Sequence, residues 1–218
     1  MKANRTDLDN KDYLFRILRR IRRYRKILFQ PVSSPLTFLL IKYKVRREVR
    51  KNGLDGIDNV LSALSSGVLY SFASFTDGDI LEFGTQTGRT SAALAHNIKL
   101  YNKNLGIIFG RKKLHLFDSF VGLPDPFNNS VDPLHLFVIK GVWRKNSLKG
   151  INQKKLNNVI HRILPKDDYV IYSGFFSETL ASFSAKVALL HIDSDLYSSA
   201  HEILDSLFSR NLISMDVA

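Results

Sequence analysis

The chain has 218 residues, of which 44% are hydrophobic and 24% charged, a composition typical of one or two globular domains with a buried core. It contains no cysteine, which excludes disulfides, thiolate zinc sites and thiol catalysis. No apolar run approaches the roughly 18 residues that a membrane span needs. Residues 1–30 are too basic and too interrupted for a signal peptide. We therefore expect a cytoplasmic protein.

The positive charge is concentrated in one segment. Residues 1–51 carry the whole net charge of +12, whereas residues 52–218 sum to zero. This division predicts a basic N-terminal arm over 1–51 and a folded domain over 52–218. Within the arm, the apolar residues of segment 12–29 recur at steps of three and four between arginines, which predicts a basic amphipathic helix.

Three functions are open for the helix predicted over 12–29. We favour packing of its apolar stripe on the folded domain or on a second subunit in a homodimer, because a charge run is usually a solvated face. In the second alternative, the helix lies on an anionic membrane surface, and the protein is then peripheral to the membrane. Binding of a polyanion such as nucleic acid or an acidic glycan is the least favoured of the three.

Helical and extended patterns alternate after the arm. The spacing of apolar residues predicts helices over 57–75, 87–99 and 196–208. Strands are predicted at the apolar runs that begin at Ile80, Leu114, Tyr169 and Val187, with extra length absorbed around residues 104–113. This alternation predicts an α/β domain with a parallel sheet, in which ligands bind at the carboxyl ends of the strands.

The first predicted strand is followed by the loop Gly84-Thr-Gln-Thr-Gly88. Glycine at such a turn lets a ligand approach the backbone and the start of the next helix, but the loop fits neither the dinucleotide nor the phosphate-loop pattern. Glu82 precedes the loop, and a carboxylate there repels a pyrophosphate and favours a cationic ligand. The loop thus favours S-adenosyl-L-methionine, which carries a sulfonium and an ammonium. The alternative is a plain tight turn.

Carboxylates also follow two later strands. Asp118 ends the second strand, where it can accept hydrogen bonds from ribose hydroxyls or simply cap a turn. The fourth strand runs into His191-Ile-Asp193-Ser-Asp195. Its two carboxylates suit a hard cation such as Mg²⁺, and the alternative is a turn that caps the following helix.

Four stretches together resemble the class I S-adenosyl-L-methionine-dependent O-methyltransferases, and most closely the macrocin O-methyltransferase family, whose relatives methylate sugar hydroxyls. The stretches, in the family's order, are residues 78–91, 117–124, 174–180 and 191–199. The resemblance implies a Rossmann-like class I methyltransferase fold over about residues 55–208. It also implies S-adenosyl-L-methionine as cofactor, Mg²⁺ as an assisting ion, and a sugar or glycosylated small molecule as acceptor.

The same resemblance implies roles for individual residues. Around the methionine part of the cofactor it places Glu82, Gly84, Gly88 and Ser91. At the ribose it places Asp118 with Ser119, and near the adenine Gly174, Phe175 and Phe176. It implies that Asp193 and Asp195 are ligands of the metal ion. Asp193 and His191 are the candidate catalytic residues, although His191 is more readily explained as a packed strand histidine.

The sequence departs from the family after the last predicted helix. The family continues with a glycine turn, a further strand and an Asp-Asp or Asp-Asn pair that completes the metal site, and residues 211–218 contain none of these. We therefore expect a sheet that is incomplete at the C-terminus, in which the edge beside the strand that ends at Asp193 is either unprotected or covered by another segment. The competing, non-enzymatic hypothesis is a truncated or impaired homologue whose basic arm binds a membrane surface or a polyanion.

Overall fold

A computed structural model describes residues 58–214, so the basic arm, its boundary at residue 51 and the helix over 12–29 lie outside the described residues. The helices and strands in chain order are α1 (Asp58–Ala73), β1 (Asp79–Phe83), α2 (Arg89–Phe109), β2 (Leu114–Asp118), α3 (Leu136–Ile139), α4 (Gln153–His161), β3 (Tyr169–Ser173), α5 (Phe176–Thr179), β4 (Val187–Ile192) and α6 (Tyr197–Ser209). None of these helices is both long and apolar enough to cross a bilayer.

The four strands form one parallel sheet in the order β3-β2-β1-β4. Strand β1 therefore lies in the interior of the sheet, and its Glu82 is in register with Leu116 on one side and His191 on the other. Because all four strands run in the same direction, their carboxyl ends meet at one edge. The predicted α/β class with a parallel sheet is confirmed.

Both faces of the sheet are covered, which explains why the strands are nearly continuous apolar runs. One face carries stacked aromatic rings: the centroids of Phe83 and Phe117 are 4.4 Å apart, and those of Phe117 and Tyr172 are 4.2 Å apart. These rings belong to a core that includes Ile203 and Leu207 of α6. Helices α1 and α2 cover the opposite face of the sheet. The strand residues on that face alternate with the aromatic residues along each strand.

Helix α2 is longer than the sequence pattern indicated. It was expected to end at residue 99, but it continues to Phe109 and stops before Gly110, whose φ of 82° is one that glycine adopts at little cost. The helix continues because Ile98, Tyr101 and Leu105 extend its buried stripe at helical spacing. Most of the extra length before β2 is therefore regular helix.

The edge of the sheet beside β4 is paired at its beginning. The amide of Val187 donates to the carbonyl of Leu212 at 2.8 Å, and the amide of Ser214 donates to the carbonyl of Val187 at 3.0 Å, which makes a parallel bridge to Ile213. After α6, Asn211 takes a φ of 51° and Leu212 is buried. The chain thus returns to the sheet next to β4, so the second alternative, an edge covered by another segment, holds at this position.

Strands β1 and β4 approach each other closely where they end. The amide of Asp193 donates to the carbonyl of Phe83 at 2.9 Å, and the amide of Gly84 donates to Phe117 of β2, also at 2.9 Å. Gly84 has a φ of +84°, and a Cβ there would lie 2.1 Å from the carbonyl oxygen of Asp193. Glycine is therefore required both for its conformation and for its lack of a side chain.

We expect Gly84→Ala to lower the free energy of unfolding by about 1–3 kcal/mol more than Gly110→Ala does, because only the first substitution forces atoms into occupied space. Gly110 is a matched control, since its φ is +82° and nothing lies within 4 Å of a Cβ there. Urea unfolding of the two variants measures the difference. Equal losses would contradict the close approach of Gly84 and Asp193.

Candidate functional site

A cavity of about 330 Å³ lies at the carboxyl edge of the sheet. It is bounded by the loops after β1, β2 and β4, by the start of α5, and by the segment between β2 and α4. The predicted site residues that line it are Gly84, Asp118, Ser119, Phe175, Phe176, Asp193 and Asp195. The predicted site residues that do not line it are Glu82, Gly88, Ser91, Gly174 and His191.

The wall of the cavity is strongly acidic. Its carboxylates are those of Asp118, Asp125, Asp193, Asp195 and Glu202, against the one ammonium group of Lys145. Such an excess of negative charge in a partly enclosed space favours a cationic ligand. Asp125, Lys145 and Glu202 were not predicted. The sequence indicated Glu202 only weakly. It lies three residues after Ser199, which ends the stretch 191–199 and lines the cavity, and it is therefore on the same face of the helix.

Asp118 holds the loop that follows β1. Its Oδ2 accepts from the amide of Thr85 at 2.8 Å, from the Thr85 hydroxyl at 2.9 Å and from the amide of Gln86 at 3.2 Å. Its Oδ1 accepts from the amide of Phe120 at 2.7 Å. A carboxylate has about four acceptor sites, so a ribose hydroxyl at Asp118 would share these oxygens with the loop. The predicted contact with ribose stays a prediction.

Gly88 and Gly174 lie behind the cavity wall. A Cβ at Gly88 would meet Ile151 of the neighbouring segment at 2.9 Å, and the amide of Ile151 donates to the carbonyl of Gln86 at 2.7 Å. The amide of Gly174 donates to the backbone carbonyl of Asp118 at 3.1 Å. Both glycines therefore permit close packing around the loops that carry the lining residues.

Glu82 is fully buried and paired inside the sheet. The hydroxyl of Ser91 donates to its Oε2, and Nδ1 of His191 lies 3.2 Å from its Oε1. A carboxylate in such a position needs partners, because an unpaired charge is costly away from water. Glu82, Ser91 and His191 thus connect β1, α2 and β4 behind the cavity. The predicted contact of Glu82 and Ser91 with the cofactor stays a prediction.

The hydrogen bond to Glu82 raises the pKa of His191 above its ordinary value of 6.5, and the charges of Glu82 and Asp193 raise it further, although burial opposes the shift. A histidine with a raised pKa is unprotonated, and so available as a general base, in a smaller fraction of molecules near neutral pH. This geometry favours a structural ion pair with Glu82. The catalytic role of His191 stays a prediction.

Two carboxylates stand side by side at the end of β4. Asp193 and Asp195 both line the cavity, and Asp195 has a φ of 63°, in the left-handed region. Burial raises the pKa of Asp195, and the neighbouring charge of Asp193 raises it further. No group of three or more histidine, aspartate or glutamate side chains within residues 58–214 is arranged to hold a metal ion. The prediction of a bound Mg²⁺ therefore has no support from the described residues.

The pairing of Glu82 and His191 predicts a pH dependence of stability. A raised pKa in the folded state contributes stability that is complete below pH 6.5 and is lost as the pH rises through the folded-state pKa of His191. We expect Glu82→Gln to flatten this decline, because it weakens the hydrogen bond and removes the charge that together raise the pKa of His191. Urea unfolding at a series of pH values above and below 6.5 tests it. His161→Gln, at an exposed histidine, is the control, and parallel curves for wild type and Glu82→Gln would refute the pairing.

Comparison with known proteins identifies the family. The sequence profile of the Macrocin-O-methyltransferase (TylF) family matches residues 59–213. No curated protein sequence matches the chain. The structure is similar to that of the O-methyltransferase NovP, with a TM-score of 0.58, 21% identity, and coverage of 77% of this chain and 69% of that chain.

A second similar structure is that of CalS11, a calicheamicin methyltransferase, with a TM-score of 0.52 and 18% identity over 99% of this chain and 77% of that chain. The two structures support the Rossmann-like methyltransferase fold implied by the sequence motifs. Since the family match extends over nearly all of the described residues, the chain belongs to the macrocin O-methyltransferase family.

Proposed function

We propose that the chain transfers a methyl group from S-adenosyl-L-methionine to a hydroxyl of a sugar or of a glycosylated small molecule. The observation that carries the proposal is the acidic cavity at the carboxyl edge of the sheet, which is lined by residues from all four of the family's sequence motifs. Membership of the family supports the methyltransferase class and its cofactor. The sugar-type acceptor rests on the resemblance to the family.

The residues of the cavity fit this cofactor. The sulfonium and ammonium groups of the cofactor match a wall with five carboxylates. The rings of Phe175 and Phe176 suit the adenine, and the hydroxyl of Ser119 suits the ribose. Gly84 lines the cavity, and its lack of a side chain lets the ends of β1 and β4 approach each other there. In this arrangement Asp118 serves the ribose and the loop together, whereas Glu82, Ser91, Gly88 and Gly174 support the site from behind.

Methyl transfer needs alignment, exclusion of water and removal of one proton. Bound S-adenosyl-L-methionine supplies an electrophilic methyl group at this site. The chain has to hold the acceptor hydroxyl in line and accept its proton. We assign the proton to the pair Asp193 and Asp195. The raised pKa of Asp195 brings this carboxyl nearer to the working pH, which improves a general base.

The acceptor side of the cavity is formed by the segment between β2 and α4. Asp125, Asn128 and Lys145 from this segment line the cavity and offer charged and amide groups. Groups of this kind bind sugar hydroxyls by directional hydrogen bonds. The segment therefore determines which acceptor enters.

The remaining predictions fall outside the described residues or are untested by them. Binding of a membrane surface or a polyanion by the arm, a homodimer, and a cytoplasmic location all stay predictions. No observation within residues 58–214 favours the non-enzymatic alternative over the transferase.

We expect Asp193→Asn to reduce methyl transfer by about 10²–10⁴-fold, because it removes a proton acceptor, and to change the affinity for S-adenosyl-L-methionine by only a few fold. Calorimetry measures the affinity, and transfer of labelled methyl groups to a panel of glycosides measures turnover. Asp205→Asn, an exposed aspartate on α6 outside the cavity, is the matched control. Failure of the wild-type chain to bind S-adenosyl-L-methionine would overturn the proposed function, and unchanged turnover in Asp193→Asn would overturn the role of this residue.

A further inference from the structure

Exposed apolar side chains are concentrated on the segment between β2 and α4. Between residues 127 and 142, side chains that are 44–75% exposed belong to Phe127, Val131, Leu134, Leu136, Phe137, Ile139 and Val142. Leu148, which is 37% exposed, follows in the same segment, and the other exposed large hydrophobic residues of the described chain are scattered. Scattered apolar residues are ordinary on protein surfaces, but a cluster of this density marks an interaction site. We call residues 127–149 the apolar–basic surface.

The apolar–basic surface is anchored to the domain. Asp132 is buried and accepts hydrogen bonds from the amide of Ser198 at 3.2 Å, from the Ser198 hydroxyl, and from the side-chain amide of Asn129 at 2.6 Å. The ring of Trp143 stacks on His135 at a centroid distance of 4.3 Å and packs on a small core around Val138. The exposed side chains thus project from a packed segment rather than from an unanchored loop.

The exposed charge of this surface is positive. Lys140, Arg144, Lys145 and Lys149 are all exposed, and none of them forms an ion pair with another described residue. The one acidic residue of the surface is Asp132, which is buried and already accepts three hydrogen bonds. A partner for this surface should therefore combine apolar material with negative charge.

We propose that the apolar–basic surface docks on an anionic lipid membrane. Apolar side chains enter the interfacial layer, and the lysines and the arginine contact the negatively charged headgroups. Trp143 lies within this surface, and tryptophan is the residue that membrane interfaces favour most, together with tyrosine.

Charge distinguishes the membrane from the other possible occupants. In a symmetric contact between two copies, the same patch meets itself, so the four basic residues of each copy would face those of the other. The N-terminal arm carries a net +12 over residues 1–51 and so has the same sign as this surface. Both occupants add like charges, whereas anionic lipid neutralises them.

Docking has a consequence for the cavity. Asn128, Lys145 and Leu148 belong to the apolar–basic surface and also line the cavity. A docked protein would therefore present the acceptor side of the cavity to the lipid headgroups. This consequence, but not the docking itself, rests on the proposed function.

The single tryptophan of the chain, Trp143, reports on the surface directly. The full-length protein is mixed with vesicles of phosphatidylcholine, with and without phosphatidylglycerol. We expect it to sediment with the anionic vesicles, with a blue shift of the Trp143 emission and quenching by brominated phospholipid. Absence of sedimentation, or sedimentation with unchanged Trp143 emission, would overturn the proposal.

Paired variants separate this surface from other exposed apolar residues. We expect Phe127→Ser/Leu134→Ser to weaken binding at least about tenfold, because these side chains are 69% and 75% exposed and lie in the surface. The control Tyr70→Ser/Phe208→Ser removes side chains that are 65% and 64% exposed on α1 and α6, and should bind like wild type. An equal loss of vesicle binding in both variants would overturn the proposal. So would a dimer that forms without lipid and that only Phe127→Ser/Leu134→Ser dissociates.

The arm requires its own control, because it is basic as well. We expect the variant Arg19→Ser/Arg22→Ser/Arg23→Ser, when it is bound to anionic vesicles, still to show the blue shift of the Trp143 emission. Loss of this blue shift would assign the docking to the arm and overturn the proposal. Calorimetry with S-adenosyl-L-methionine on all variants separates a failure of docking from a failure of the proposed function, since neither Phe127 nor Leu134 lines the cavity.

Discussion

The hydrogen bonds of Asp118 are the constraint on which the carboxyl edge of the sheet depends. This carboxylate ends β2 and accepts from Thr85 and Gln86, so it fixes the path of the loop after the neighbouring strand β1. The fixed loop in turn holds Gly84 against the carbonyl of Asp193 at the end of β4. Three strand ends are thereby brought together around one cavity. The same acidic residue that sequence reasoning assigns to a ligand is thus also the centre of the local fold.

Negative charge is divided between two layers at this edge. Glu82 lies behind the cavity, where Ser91 and a histidine with a raised pKa compensate it, so that its charge is largely satisfied within the protein. Asp193 and Asp195 lie in front and line the cavity, and the pKa of Asp195 is raised first by its burial and then by the neighbouring charge of Asp193. Charge that is compensated stabilises the fold, whereas charge that is not compensated remains available to a cationic ligand.

The sequence predicted the four strands because each is a short buried run, and it predicted seven of the nineteen residues that line the cavity because carboxyl ends of parallel strands meet at one edge. The pairing of Glu82 with His191 was not predictable, since it depends on β1 and β4 being neighbours and on their register. Lys145 reaches the cavity through the tertiary path of the segment between β2 and α4, which no local pattern encodes, whereas the helical spacing of Glu202 from Ser199 was a weak indication. The return of Leu212 to the sheet was missed because the run is too short to signal a strand.

The segment between β2 and α4 has different surroundings on its two sides. Toward the cavity it contributes Asp125 and Lys145, in a wall where carboxylates outnumber ammonium groups, and toward solvent it presents Lys140, Arg144 and Lys149 among exposed apolar side chains. The buried carboxylate of Asp132, bonded to the start of α6, fixes the segment in place. An acidic interior and a basic, apolar exterior can therefore coexist on one segment, the first suited to a positively charged methyl donor and the second to a negatively charged membrane.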